Sequence, residues 1–237
     1  MTLESNGNLL IGVFAAVAGV AAIVAWYVRR QWERQRQAAL ARYAASRGWS
    51  FIAENDVWAG IAGGEPFGEG HDQDAWYVMR GHYGGLPSVV FDYRWVTGSG
   101  RDRTSHRAGA YAIGLPVDLP WVHIRAERFM DMAARLVGGQ DIELESEEFN
   151  RAFRVRAADV RLAYDLLNAR TMEALLDAQA LTVQIGNRYL VATLDGGLDL
   201  AWVDYTLSLL AGMVERLPDF VWTDRGKAPP QVKRRSA

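Results

Sequence analysis

Apolar and polar positions divide this chain into three regimes. Residues 9–28 run twenty positions without a charge, and Arg29 and Arg30 follow at once. Residues 49–125 are strand-like and rich in turns. The clearest segment is 88–96, where Val89, Phe91, Tyr93 and Trp95 fall on one face and Val90, Asp92, Arg94 and Val96 on the other. A period of two marks a half-buried antiparallel strand. Residues 75–82 supply its partner through Tyr83-Gly84-Gly85-Leu86-Pro87. Beyond residue 160 the spacing shifts towards the helical period, with one more hairpin inside it.

The twenty-residue run predicts a transmembrane helix, because that length crosses the roughly 30 Å hydrocarbon core of a bilayer. Trp26 and Tyr27 close it where aromatic side chains sit at headgroup level, and Arg29, Arg30, Arg34 and Arg36 follow. An excess of arginine belongs on the cytoplasmic side. The expected protein is therefore single-pass in the cell (inner or plasma) membrane, with residues 1–8 outside and all after Arg29 in the cytoplasm. A cleaved signal peptide fits less well: the first eight residues carry no basic group, the apolar run is long, and arginines stand where cleavage would fall. Gly12, Ala16, Gly19 and Ile23 form one helical stripe, a pattern that lets two helices approach closely.

Residues 29–48 read as a basic juxtamembrane helix capped by Gly48, too short in heptads for a coiled coil. Residues 49–53 form a strand and 54–74 a glycine-rich turn region. Strands are expected over 105–113 and 119–125, and a helix over 126–137 ended by Gly138-Gly139. Asp159 caps a helix over 160–168 and Thr171 another over 172–178. A hairpin joins 181–185 to 188–194 across Gly186-Asn187. Residues 198–217 make a long packed helix with Trp202, Tyr205, Leu209 and Met213 on one side; Asp199, Asp204 and Glu215 exclude it as a second span. The fold class is α+β: one transmembrane helix, then a cytoplasmic domain over 49–224 with antiparallel hairpins and packed helices, then a disordered basic tail over 225–237.

Charge adds a partition that the net value of −2 conceals. Residues 29–47 and 225–237 each carry +5, the first eight residues −1, and the body holds the balance of −11. Basic segments beside a span are drawn to anionic lipid headgroups, at about 1 kcal/mol per basic residue near the surface. An acidic body is unsuited to nucleic acid. The chain has no cysteine, which removes disulfides, thiol nucleophiles and thiolate metal sites.

The segment Leu144-Glu-Ser-Glu-Glu-Phe-Asn-Arg-Ala-Phe-Arg-Val155, followed by Asp159, Ala163-Tyr164, Leu166-Leu167, Met172 and Leu175-Leu176, resembles a bacterial, actinobacterial-type family of single-span membrane proteins of unknown function. Gly48-Trp49 and Pro66-Phe67-Gly68 suit that layout. The resemblance is specific over residues 144–176. It implies the architecture above, and neither an activity nor a functional residue.

No catalytic constellation emerges. His71, His82, His106 and His123 show no helical ligand spacing, although His82 and His106 stand on or beside strands and could converge on zinc. His71-Asp72-Gln73-Asp74 reads as a polar turn, since it lacks the twelve-residue calcium-loop pattern. The glycine-rich run 60–70 lacks the Gly-Lys-Ser/Thr of a phosphate loop, and no Gly-x-Ser-x-Gly elbow occurs. Glu143, Glu145, Glu147 and Glu148 offer an acidic docking edge or a solvated face. The sequence thus predicts a non-enzymatic, cofactor-free domain that binds a partner protein or itself at a membrane. The alternative is a small-molecule or lipid-binding sensor with Trp76, Tyr93, Trp95 and Trp202 lining a pocket.

Overall fold

The computed structural model describes residues 3–126, 142–178 and 181–233, with side chains from Val17 onward. The expected helix over 126–137 and its Gly138-Gly139 end fall almost wholly outside the described residues, as do the side chains of Gly12 and Ala16. The chain divides into two compact units, Met1–Tyr43 and Ala44–Ala237.

The first unit lies within helix α1 (Leu3–Ser46), 44 residues long. It corrects the transmembrane reading. Among the described residues no helix is long and apolar enough to cross a membrane. The single-pass assignment over 9–28 is therefore not supported. The same finding removes the support for the cell-membrane localisation and for the orientation with the N-terminus outside and the domain in the cytoplasm.

The second unit begins where α1 ends. Gly48 sits at φ +67°, its N–H donating to Ala45 O at 3.0 Å, and Trp49 N–H donates to Ala44 O at 2.8 Å. A residue in left-handed conformation just past a helix end satisfies the last carbonyls, and glycine adopts it without a Cβ penalty. Arg47 then forms an ion pair with Asp204.

Eight strands make a single antiparallel sheet. They are β1 (Ser50–Glu54), β2 (His71–Tyr83), β3 (Leu86–Thr97), β4 (Thr104–Gly114), β5 (Val122–Ala126), β6 (Phe153–Ala157), β7 (Thr182–Gly186) and β8 (Tyr189–Asp195). Their order is β1-β2-β3-β4-β8-β7-β5-β6. The α+β class and the hairpins are as the alternation predicts. Gly84 and Gly85 stand at φ +58° and +85° between Tyr83 and Leu86, the two-residue geometry that matches strand twist. The second hairpin turns one residue later than its sequence suggests. Gly186 pairs with Tyr189, so Asn187 and Arg188, at φ +44° and +64°, form the turn. The region 54–74, read as turn-rich, closes in strand: His71 already belongs to β2 and pairs with Val96.

Helix α2 (Glu147–Ala152) lies between β5 and β6, α3 (Val160–Leu166) and α4 (Ala169–Asp177) lie between β6 and β7, and α5 (Val203–Arg216) and α6 (Asp219–Thr223) follow β8. α5 packs on β4 and β8, and α2 and α3 on β6. This helix face buries Tyr111, Ile113, Ile124, Val155, Val183 and Leu190. The single helix expected over 198–217 is broken. A 3-10 turn, Leu200–Trp202, precedes α5, and the Asp199 side chain caps it by accepting the N–H of Ala201.

The connection between β1 and β2 covers the other face. Ile61, Ala62 and Phe67 lie against Val89, Phe91, Tyr93, Ala108, Ala110 and Val191. Phe67 and Tyr93 rings approach to 4.6 Å, and Tyr93 stacks on Trp95 at 5.2 Å. The four alternate residues 89, 91, 93 and 95 are thus core.

Candidate ligand-binding cleft

The covered face changes character towards β5, β6 and β7. His123 lies opposite Arg156 on one side and Gln184 on the other, and Arg125 lies opposite Arg154. Directly paired residues share a face, so the apolar cover of β3 and β4 gives way here to a polar surface. Against it stands the segment Gly63-Gly64-Glu65. Between the two lies a cleft of about 700 Å³, lined by polar and small residues, Gly63, Gly64, Glu65, Asp118, His123, Arg156, Gln184 and Asn187, together with Trp121, and touched by the buried Leu119, Val122 and Ile185. That volume is within the range of small-molecule sites.

Buried polar groups fix the cleft wall. Gln184 is 2 % exposed. Its Oε1 accepts the N–H of Gly64 at 3.0 Å, and its Nε2 donates to Glu65 O at 3.1 Å. His123 Nε2 lies 3.2 Å from the same oxygen, and a carbonyl accepts only from the protonated nitrogen. A Cβ on Gly64 would stand 2.8 Å from Gln184 Oε1, so the close approach requires glycine. The Glu65 carboxylate pairs with Arg125. Burial lowers the His123 pKa, against the hydrogen bond to Glu65 O and the Glu65 carboxylate, which raise it. Burial and the neighbouring Glu65 raise the Glu69 pKa.

The opposite rim is the β4–β5 connection. Arg188, in left-handed conformation, donates from Nη2 to Pro116 O at 2.7 Å and lies 3.9 Å from Asp118. Trp121 O accepts the N–H of Ala158 at 3.0 Å. Its indole remains 52 % exposed.

Of the candidates read from the sequence, His123 lines this cleft, as do Gly63 and Gly64 of the glycine-rich run, whereas the α1, acidic-edge and pocket-aromatic candidates do not. Trp26 and Tyr27 are exposed on α1, Arg30 stacking on Trp26 at 5.1 Å. Arg29 and Arg34 are exposed there and Arg36 is half-buried. Glu143, Glu145, Glu147 and Glu148 are all exposed. Ser146 caps α2, placing Glu147 and Glu148 in its first turn. Of the proposed pocket aromatics, Tyr93 and Trp95 are buried core, and none of the four lines the cleft. His106 stacks on Trp95 at 5.0 Å and bonds Thr97 Oγ1 at 2.7 Å, and His82 does not join it. Among the described residues no three acids and histidines gather as a metal site. Sequence reasoning missed Trp121 and Gln184. The Pro120-Trp121 step before an apolar strand was the only local signal.

No family model and no curated protein matches the chain. A solved structure does: the mycobacterial trehalose monomycolate transport factor A, TtfA, with a TM-score of 0.54 at 13 % identity. The match covers 77 % of this chain and 96 % of that one. At that identity the likeness is one of fold.

Proposed function

We propose that this chain is a non-catalytic binding protein that takes part in handling lipids and holds the polar part of an amphiphile in the cleft over β5 and β7. The observation that carries the reading is the cleft itself: about 700 Å³, walled by a loop that Gln184 pins and left open at Trp121. The shared fold with a transport factor for a mycobacterial lipid supports it. The non-catalytic part rests on how the polar groups are used. Gln184 and His123 spend their atoms on the cleft's own wall.

Native mass spectrometry of the full-length protein, taken from its own cells, tests this. A lipid mass is expected, reduced by Gln184→Leu. A protein that carries no lipid and takes none from mixed-lipid vesicles overturns the reading. Docking of a partner protein is the second reading, favoured by the exposed row Glu143, Glu145, Glu147 and Glu148. It replaces the first if crosslinking captures one partner that reversing those four charges releases.

A further inference from the structure

We infer that the cleft recognises a neutral, polyhydroxylated ring, a sugar or sugar headgroup, seated against the indole of Trp121. The inference rests on the cleft being a ligand site, as proposed above, and specifies its ligand from the groups it presents.

The aliphatic residues of the cleft offer an acyl chain little to bind. The apolar lining residues Leu119, Val122 and Ile185 are 7 %, 1 % and 2 % exposed, because they belong to the packed core. Burial of apolar area holds a hydrocarbon chain, and these three offer almost none. An anion is poorly matched as well. Arg156 lines the cleft, but so do the acidic residues Glu65 and Asp118, which already meet Arg125 and Arg188. Like charges so placed disfavour a phosphate or carboxylate.

What the cleft does present is a broad aromatic surface ringed by hydrogen-bonding groups. Trp121 is a large rigid platform, half open to solvent and tied to the sheet through its carbonyl. Asp118 stands three residues before it, its side chain 79 % exposed. Asn187 donates its Nδ2 to Gly60 O at 2.9 Å, which leaves Oδ1 as an acceptor. Gly63 adds backbone groups without a side chain to screen them. Hydroxyl groups both donate and accept, so they satisfy a mixed set of carboxylate, amide and guanidinium partners. The apolar C–H face of a sugar ring suits the face of an indole.

Saturation-transfer NMR on the full-length protein tests this with four probes: trehalose, a disaccharide alkyl glycoside below its micelle concentration, inorganic phosphate, and short-chain phosphatidylglycerol. The two sugars should receive saturation. Trp121→Ala should weaken their binding about tenfold or more, Trp121→Phe should restore part of it, and Asp118→Asn should weaken it less. Phosphate should not compete. Tighter binding of the glycoside assigns the site to a lipid headgroup, and equal binding assigns it to a free sugar. Sugars that fail to bind, or that bind equally to Trp121→Ala, overturn the inference. If phosphatidylglycerol alone binds, the sugar assignment falls and the lipid-handling reading stands. If neither amphiphile binds, the lipid-handling reading falls, and if trehalose fails as well, both fall.

Discussion

The carboxylate of Asp92, with no solvent exposure, accepts the backbone N–H of Leu198 at 3.3 Å across 106 residues of chain. The same side chain meets Arg94 at 3.2 Å and forms an ion pair with Arg107. Arg94 in turn stacks over Trp76 at 4.5 Å. A charge on β3 thereby fixes the segment that leads into α5.

Removing that carboxylate should therefore destabilise the domain. Breaking a buried pair typically costs 3–5 kcal/mol. Arg107 is 39 % exposed and can rehydrate, so Asp92→Ala should cost about 3 kcal/mol, at the low end. Urea denaturation measures it, and a loss below about 1 kcal/mol would show that the bridge is incidental.

Gly197 lies directly over this group at φ +93°, and a Cβ there would stand 2.8 Å from Asp92 Oδ1. Gly197→Ala should cost about 2 kcal/mol or more from the backbone conformation and the contact together. In the Asp92→Ala background the contact disappears, so the two losses should add to less than their sum. Strict additivity in the double-mutant cycle would contradict the geometry.

Gln184→Leu should loosen the cleft wall. It leaves the Gly64 N–H without its partner and takes one of two donors from Glu65 O. A buried group left unpaired costs about 1–3 kcal/mol. Hydrogen exchange should show the Gly64 amide losing protection selectively. Protection that stays unchanged would mean Gln184 does not hold the loop.

His123 gives a pH dependence with a defined sign. Burial depresses its folded pKa below the ordinary value of 6.5. Between that value and the folded pKa the unfolded chain binds a proton that the folded one does not, so stability falls as pH drops below about 6.5. His123→Gln, which retains a donor, should flatten the denaturation midpoint between pH about 5 and 7 relative to wild type. Glu69 acts oppositely. Its raised folded pKa makes stability fall as pH rises above about 4.5, and Glu69→Gln should remove that slope. Unaltered profiles in both variants would refute the assignment.

At the start of α4 the cap is Asn168, whose Oδ1 accepts the N–H of Thr171 at 3.2 Å. Asn168→Ala should cost about 1 kcal/mol, the usual value of a lost cap. Thr171, expected from sequence to fill that role, is buried, and its hydroxyl accepts from Arg216 at 3.4 Å. A cost confined to Thr171→Ala would restore the sequence assignment.

The legible parts were those governed by local periodicity. Alternation over 88–96 gave β3 but not its burial, since the strand expected to be half-buried is covered on both faces, with Val90 and Asp92 buried as well as Phe91 and Tyr93; Gly84-Gly85 gave the hairpin, and Asp159 gave the cap of α3, where it accepts from Arg161 and Leu162. Positions set by distant partners were not legible. Gln184 acts on a loop 120 residues away, and nothing beside it in sequence announces the bond. The run over 9–28 shows the opposite hazard. A count of uncharged residues registers length alone, while the described part of α1 is too short on apolar surface to cross a bilayer.

The pairing of β4 with β8 joins residues 108–114 to 189–195. During synthesis β1 to β4 emerge first and can form their meander at once. The outer edge of β4 over residues 108–114 then waits for about 75 more residues before β8 arrives to cover it. An unpaired edge of that length is a template for pairing with another nascent chain. The seam that unites the finished sheet is thus also the edge left open longest while the chain is made.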